Sequence, residues 1–334
     1  MTKVYPIVFG TDENYAKYLS VTIQSIIENS NMEFYYELYV LYESLNEDDI
    51  KRIKQQEQKN IKIEFVNISS YLEGKDTLLA DNVGHYSKAM YYRLLMPEIF
   101  DKYSKVLYLD CDLIVNCDVA EIFQIDLKDN YAAAVHDIGM LCKTTKWNSY
   151  AKKLTVKPEK YFNSGMLLIN NEKFGKADLL KQANEILKKL CKLCFPDQDI
   201  LNILLKDKVL LLDYSYNFQW YYYLMRNVYT EFFDNILYQN YLQSNNNFKI
   251  LHFTSAIKPW TNPEIFESCY FWKYARNTAF YEEIFTSYLL TKIDARKKYT
   301  KFQIYRYKLK SLIPSKKQEY YIKKYSLIKK ELGV

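Results

Sequence analysis

Short runs dense in β-branched and aromatic residues recur along this chain at 5–9, 36–41, 61–66, 106–109, 132–135, 166–169, 209–212 and 250–253. Each has the length and composition of a buried strand. Between the early runs, residues 14–28 and 46–58 have helical periodicity, the first with Tyr18, Val21, Ile23 and Ile26 among its apolar positions. Strand alternating with helix leaves few solutions, because parallel neighbours need a crossover and the crossover packs on a sheet face. The expected fold is α/β, a mostly parallel Rossmann-like sheet flanked by helices. Ligands bind such sheets beyond the carboxyl ends of the strands, so polar residues there are the first candidates for chemistry.

With 334 residues, 49% of them hydrophobic, the chain can bury one large core or two ordinary ones. Having 7 Gly and 7 Pro, it is neither collagen-like nor a flexible low-complexity polymer. The abundance of Tyr is read as compositional bias, and no repeat of fixed period is visible. The Cys residues at 111, 117, 142, 191, 194 and 269 are scattered. Only Cys191 and Cys194 form a C-x-x-C, without the second pair of a zinc site, so structural thiols in a reducing compartment are expected. The opening MTKVYPIVFG runs directly into a strand with no apolar leader segment. The longest apolar stretch, 209–225, is broken by Asp213, Asn217 and Gln219, and a spanning helix needs about 18 to 20 apolar residues. These features lead us to expect a cytoplasmic chain that does not cross a membrane.

Three strand ends carry suggestive polar residues. In VLYLDCDLIV, Asp110 and Asp112 end a hydrophobic run, and carboxylates at i and i+2 repel unless a cation lies between them. A hard divalent ion satisfies that need and can neutralise a diphosphate; a solvated turn is the plainer alternative. In IVFGTDENY, Asp12 and Asn14 follow the first strand, where Asp12 can cap the next helix or meet a nucleotide. Neither G-x-G-x-x-G nor G-x-x-x-x-G-K-[ST] occurs, so dinucleotide and Walker-type cradles are unsupported. In ILHFTSAIKPW, His252 ends a strand and Lys258 follows six residues later, a core histidine or a metal ligand beside a phosphate-binding lysine. Two smaller signals are Asn163, Ser164 and Gly165 entering a strand, and Asp197 and Asp199 opening a helix.

Taken in order, the segments VFGTDENYAKYLSVTIQSI, YYRLLMPEIF, KVLYLDCDLIV, YFNSGMLLIN, DQDILN and HFTSAIKPW resemble glycosyltransferase family eight, the retaining sugar-nucleotide enzymes, over about residues 4–262. The resemblance implies a GT-A fold holding a UDP-sugar and Mn²⁺, or Mg²⁺, at the carboxyl ends of the strands. It implies that Asp110, Asp112 and His252 are the metal ligands and that Asp12 and Asn14 meet the uridine and ribose. Lys258 then lies on the diphosphate, with Cys111 and Ser255 beside it. Arg93, Asn163, Ser164, Asp197, Gln198 and His85 fall around the donor sugar. Gln198 stands where a nucleophile on the opposite face would be, and an amide is a poor nucleophile. Same-face attack by the acceptor hydroxyl, with Gln198 and Asp197 positioning the sugar, is therefore expected. Ser255 departs from the family pattern, which usually has Gly three residues after the metal histidine.

Charge divides the chain unevenly. Residues 291–334 carry 14 Lys and Arg against 3 Asp and Glu, leaving 32 against 37 in the first 290. Basic residues interleaved with Tyr, Phe, Leu and Ile suit an anionic bilayer better than nucleic acid, which is not expected as a partner, and a solvated helical extension is the plainer alternative. The organisation expected is a catalytic domain over 1–262, a helical continuation over 263–290, and a membrane-surface tail over 291–334. The function expected is transfer of galactose or glucose from a UDP-sugar to a saccharide acceptor, such as a lipid-linked bacterial surface glycan. The alternatives are a self-glucosylating primer and a non-catalytic sugar-nucleotide-binding protein. Acceptor contacts are expected on 76–86 and on the aromatic segment 219–225.

Overall fold

The computed structural model describes residues 3–73, 87–142, 150, 153–174, 178–190, 193–227, 231–232, 234–265, 267–298, 301–312 and 318–332. The chain divides into two compact units, Met1–Ala279 and Phe280–Val334.

The first unit is built on a seven-stranded sheet of order β3-β2-β1-β4-β7-β6-β8. Its strands are β1 (Val4–Gly10), β2 (Tyr35–Tyr42), β3 (Ile61–Asn67), β4 (Lys105–Leu109), β6 (Ala132–His136), β7 (Phe162–Asn170) and β8 (Val209–Leu212). The central strands are nearly continuous apolar runs because both faces are covered. β1, β2, β3 and β4 pair in parallel, as do β6 and β8, whereas β7 runs antiparallel between β4 and β6. The reversal brings the amino end of β7, with Asn163, Ser164 and Gly165, to the rim where β4 and β6 end. A second sheet of order β5-β10-β9 contains β5 (Leu113–Val115), β9 (Phe218–Gln219) and β10 (Ile250–His252). In it Leu113 pairs with His252, so the chain leaving β4 turns through Asp110–Asp112 and returns beside the histidine.

Helix α1 (Ala16–Asn29) explains why a buried helix here contains Ser and Thr. Thr22 Oγ1 lies 3.0 Å from the Cys111 carbonyl and 2.9 Å from that of Leu113, and the Val115 N–H donates to Ser25 Oγ at 3.0 Å. These bonds fasten the turn between β4 and β5. The helix read over 46–58 is shorter, α2 (Glu47–Lys54), capped by Asn46. It stops early because Gln56 turns inward, where its Oε1 accepts from Ser20 Oγ of α1 at 2.9 Å. The other longer helices of this unit are α3 (Leu179–Lys189), α4 (Pro196–Leu204), α5 (Asn235–Ser244) and α6 (Ser268–Ala275). Proline at the first position of α4 costs no hydrogen bond. Cys111, Cys117, Cys142, Cys194 and Cys269 are free thiols.

The second unit contains α7 (Tyr281–Lys298), α8 (Lys301–Leu312) and α9 (Gln318–Leu332). Ile328 of α9 is buried against Ile304 and Tyr307 of α8. Lys310 Nζ lies 5.0 Å from the ring centroid of Tyr321. No helix among the described residues is long and apolar enough to cross a membrane.

Candidate active site

Asp110, Asp112 and His252 converge where the two sheets meet, each offering one ligand atom within 4.8 Å of the others. His252 Nε2 lies 3.2 Å from Asp112 Oδ1 and 3.9 Å from Asp110 Oδ2. The two aspartates sit in a turn rather than on an extended strand, so their convergence comes from the return into β5 and not from strand pleat. Gly165 forms the floor. Its carbonyl accepts from the Asp110 N–H at 2.9 Å, and a Cβ built there would lie 2.3 Å from His252 Cε1 and 2.7 Å from Asp110 Oδ2.

Positive charge surrounds the pair of carboxylates. Lys258 Nζ donates to Asp112 Oδ2 and, at 2.6 Å, to the Phe253 carbonyl. Burial opposes ionisation of Asp112, but Lys258 and His252 outweigh it and hold the carboxyl well below the usual range. Buried Arg93 reaches Asp110 Oδ1 at 2.7 Å and Asp197 Oδ2 at 3.3 Å, donates to the Ser164 carbonyl, and lies over the Tyr108 ring at 4.3 Å. Burial disfavours its charge, yet Asp110 foremost, with Tyr108 and Asp197, keeps it cationic.

A second layer lies across β7. Ser164 Oγ donates to Asp197 Oδ2 at 3.0 Å, and burial raises the Asp197 carboxyl while Arg93 opposes the rise. Gln198 Oε1 accepts from Asn163 Nδ2 at 3.0 Å and from the Ser164 N–H at 3.1 Å. Its Nε2 donates to Asp137 Oδ2 at 2.9 Å. Asp199 faces the other way, accepting from Tyr161 Oη at 2.5 Å, from Tyr150, and from the N–H groups of Cys194 and Phe195 at 3.1 and 2.9 Å. Burial pushes its carboxyl up to about 6 despite these donors.

The remaining sequence candidates lie as follows. Asp12 Oδ1 accepts from the N–H groups of Asn14 and Tyr15 at 2.9 and 3.1 Å, so it shapes the turn before α1, and Asn14 is exposed. Cys111 is buried with Sγ on the Gly10 carbonyl at 3.2 Å, and burial, with Asp110, raises its thiol pKa. Ser255 is exposed at φ 75°, the left-handed region that favours glycine. His85 and the segment 76–86 lie outside the described residues. In 219–225, Gln219 and Trp220 are buried, and Gln219 bonds the His136 carbonyl and the Ile138 N–H at 2.6 and 3.1 Å.

Asp137 and Asn217 also belong to the site, although neither stands out as a candidate in the sequence. Asp137 follows β6 at its carboxyl end, where a polar residue after an apolar strand was the available signal. Asn217 ends the short turn Tyr214–Asn217 before β9, and its Oδ1 meets His252 Nδ1 at 2.9 Å. Only the strand pairing discloses that contact.

Comparison with known proteins agrees with this geometry. The family described as "Glycosyl transferase family 8" matches residues 6–264. General stress protein A of Bacillus subtilis is 27% identical over 266 residues, covering 78% of this chain and 88% of that protein. Lipopolysaccharide 1,2-glucosyltransferase of Escherichia coli K12 is 28% identical over 276 residues, covering 80% and 76% respectively. The galactosyltransferase LgtC, solved with donor and acceptor sugar analogues, superimposes with TM-score 0.68 at 27% identity, over 82% of this chain and 96% of that one. The fold is therefore the GT-A fold, and a match spanning both sheets and all three members of the acidic–histidine trio places the chain in glycosyl transferase family 8.

Proposed function

We propose that the protein is a retaining, divalent-metal-dependent hexosyltransferase that moves galactose or glucose from UDP to a saccharide acceptor on a lipid-linked bacterial surface glycan. The observation that carries this reading is the trio Asp110, Asp112 and His252, brought together around the side-chain-free Gly165. Two carboxylate oxygens and an imidazole nitrogen suit Mn²⁺, and Mg²⁺ less well. A cation held there would offset the charge that develops on the diphosphate as UDP departs.

The chain's own residues account for the rest. Lys258 beside Asp112 supplies fixed positive charge where the leaving diphosphate lies. Arg93 locks Asp110 and Asp197 in one geometry, so the metal side and the sugar side are built on a single guanidinium. Asp12 and Asn14 at the end of β1 offer the uridine and ribose contacts. Asp197, Asn163 and Ser164 hold the sugar. The carbonyl oxygen of Gln198 already accepts two hydrogen bonds, which uses both its lone pairs and leaves none for attack at the anomeric carbon. That supports attack by the acceptor hydroxyl on the face UDP leaves, with Gln198 as a sugar-positioning residue. The hexose and the glycan acceptor are supported by relatives named lipopolysaccharide glucosyltransferase and galactosyltransferase.

The second unit supports approach to the inner membrane surface. Tyr305, Leu309 and Leu312 are 60%, 45% and 69% exposed and recur at helical spacing on one face of α8, amid Lys and Arg.

The test of the chemistry is UDP release with Mn²⁺ across UDP-glucose, UDP-galactose, UDP-N-acetylglucosamine and UDP-N-acetylgalactosamine. Slow hydrolysis of a hexose donor, lost in Asp110→Ala and Asp112→Ala and on chelation, is expected. Turnover that survives both substitutions and the chelator would sink the reading.

A further inference from the structure

In the polar layer behind the metal trio, backbone N–H groups, which can only donate, set the orientation of Gln198 and Asn163 directly and of Asn217 through Asn163. Asp137 Oδ1 accepts from the N–H groups of Gly139 and Met140 at 2.9 and 3.3 Å, and its Oδ2 faces Gln198 Nε2 at 2.9 Å. Gln198 Oε1 must therefore be the atom that meets the Ser164 N–H and Asn163 Nδ2. Asn163 Oδ1 then accepts from the Gly165 N–H at 3.0 Å and from Asn217 Nδ2 at 2.8 Å. That leaves Asn217 Oδ1 facing His252 Nδ1 at 2.9 Å, so Nδ1 carries a proton and donates. Nε2 is thereby the ring atom left to a metal, and it faces Asp112 Oδ1 3.2 Å away, where a bound cation would take the place of the proton the two atoms otherwise share.

We propose that Asn217 is a positioning residue that fixes the ring and tautomer of His252 for metal binding and, through Asn163 and Gln198, ties the metal site to the sugar-contact layer. The proposal rests on the metal-dependent reading above. Asn217 is wholly buried and immediately precedes β9, which pairs with β10 through Leu251 with Phe218 and His252 with Gln219. Its side chain therefore has no freedom to serve solvent. A partner on the second nitrogen of a ligating histidine typically changes metal affinity about 10- to 100-fold.

Two substitutions separate the halves of its role. Asn217→Ala removes both bonds, and Asn217→Asp keeps the acceptor for Nδ1–H but loses the donor to Asn163. Mn²⁺ is titrated into the full-length protein with saturating UDP, free Mn²⁺ is read by electron paramagnetic resonance, and melting curves report the fold. The expected result is Mn²⁺ affinity lowered about 10- to 100-fold in Asn217→Ala, restored close to wild type in Asn217→Asp, with UDP release from the preferred donor still reduced in Asn217→Asp. Wild-type affinity in Asn217→Ala, or equal weakening in both variants, would overturn the proposal. Should Asn217→Ala not fold, Asn217→Asp decides alone: retained affinity with slowed release supports it, and lost affinity refutes it. A wild-type protein that binds no Mn²⁺ would instead remove the metal reading, and this proposal with it.

Discussion

A methyl group on Gly165 would lie 2.3 Å from Cε1 and 2.9 Å from Nδ1 of a histidine that Asn217 already pins, and 2.7 Å from an oxygen of Asp110. Neither neighbour can retreat without loosening a hydrogen bond, His252 to Asn217 or Asp110 to Arg93. Gly165→Ala is therefore expected to cost about 1–3 kcal/mol of stability and to weaken Mn²⁺ binding tenfold or more, measured by thermal melting and by metal titration. A variant that binds Mn²⁺ like the wild type would show that this floor does not shape the site. Ser255 presents the opposite case, a residue with a side chain at φ 75°, where strain of about 1–3 kcal/mol is usual. The D-x-D pair and His252 were legible in the sequence because unusual residue types stood at the ends of apolar runs. Asp137 and Asn217 were not, since their roles arise only when β6, β7, β9 and β10 are set side by side.

At the scale of elements, the antiparallel β7 does most to assemble the site, facing Gly165 toward Asp110 and Asn163 toward Val135. The strand was legible as a buried run, but its direction was not, because a fully buried strand has the same composition in either orientation. The α2 boundary shifted for a tertiary reason, the inward turn of Gln56 onto Ser20, whereas α1 starts at Ala16 because Asp12 holds the N–H groups of Asn14 and Tyr15 in a turn. Helix α4 is fastened to β7 by Asn202, whose side chain bonds both the N–H and the carbonyl of Phe162 at 2.9 and 2.8 Å. Asp199 makes the matching tie to Tyr161. Because burial raises its carboxyl to about 6, the folded state holds the proton more tightly than the unfolded chain. Its contribution is therefore fully present below the ordinary carboxylate value and is lost as pH rises through about 6, a swing of roughly 3 kcal/mol. Burial shifts Asp137 and Asp197 upward as well, so their slopes add to it. Asp199→Asn, followed by urea denaturation between pH 4 and about 7, should lower stability overall yet show a shallower decline with pH. An unchanged slope would mean that Asp199 does not carry the effect.

At the scale of the whole molecule, the chain joins a mildly acidic α/β body to a strongly basic helical unit, an asymmetry visible in the sequence before any fold. Truncation after residue 290 is expected to leave donor hydrolysis intact and to abolish sedimentation with anionic vesicles. Unchanged vesicle binding would assign that affinity elsewhere. Whether Asp110, Asp112 and His252 would hold a cation that strengthens nucleoside-diphosphate binding is decided by calorimetric titration of UDP in Mn²⁺ and in EDTA. UDP binding about tenfold or more tighter with Mn²⁺ is expected, a gain that disappears in His252→Ala. Equal UDP affinity with and without the metal, in the wild-type protein, would contradict it.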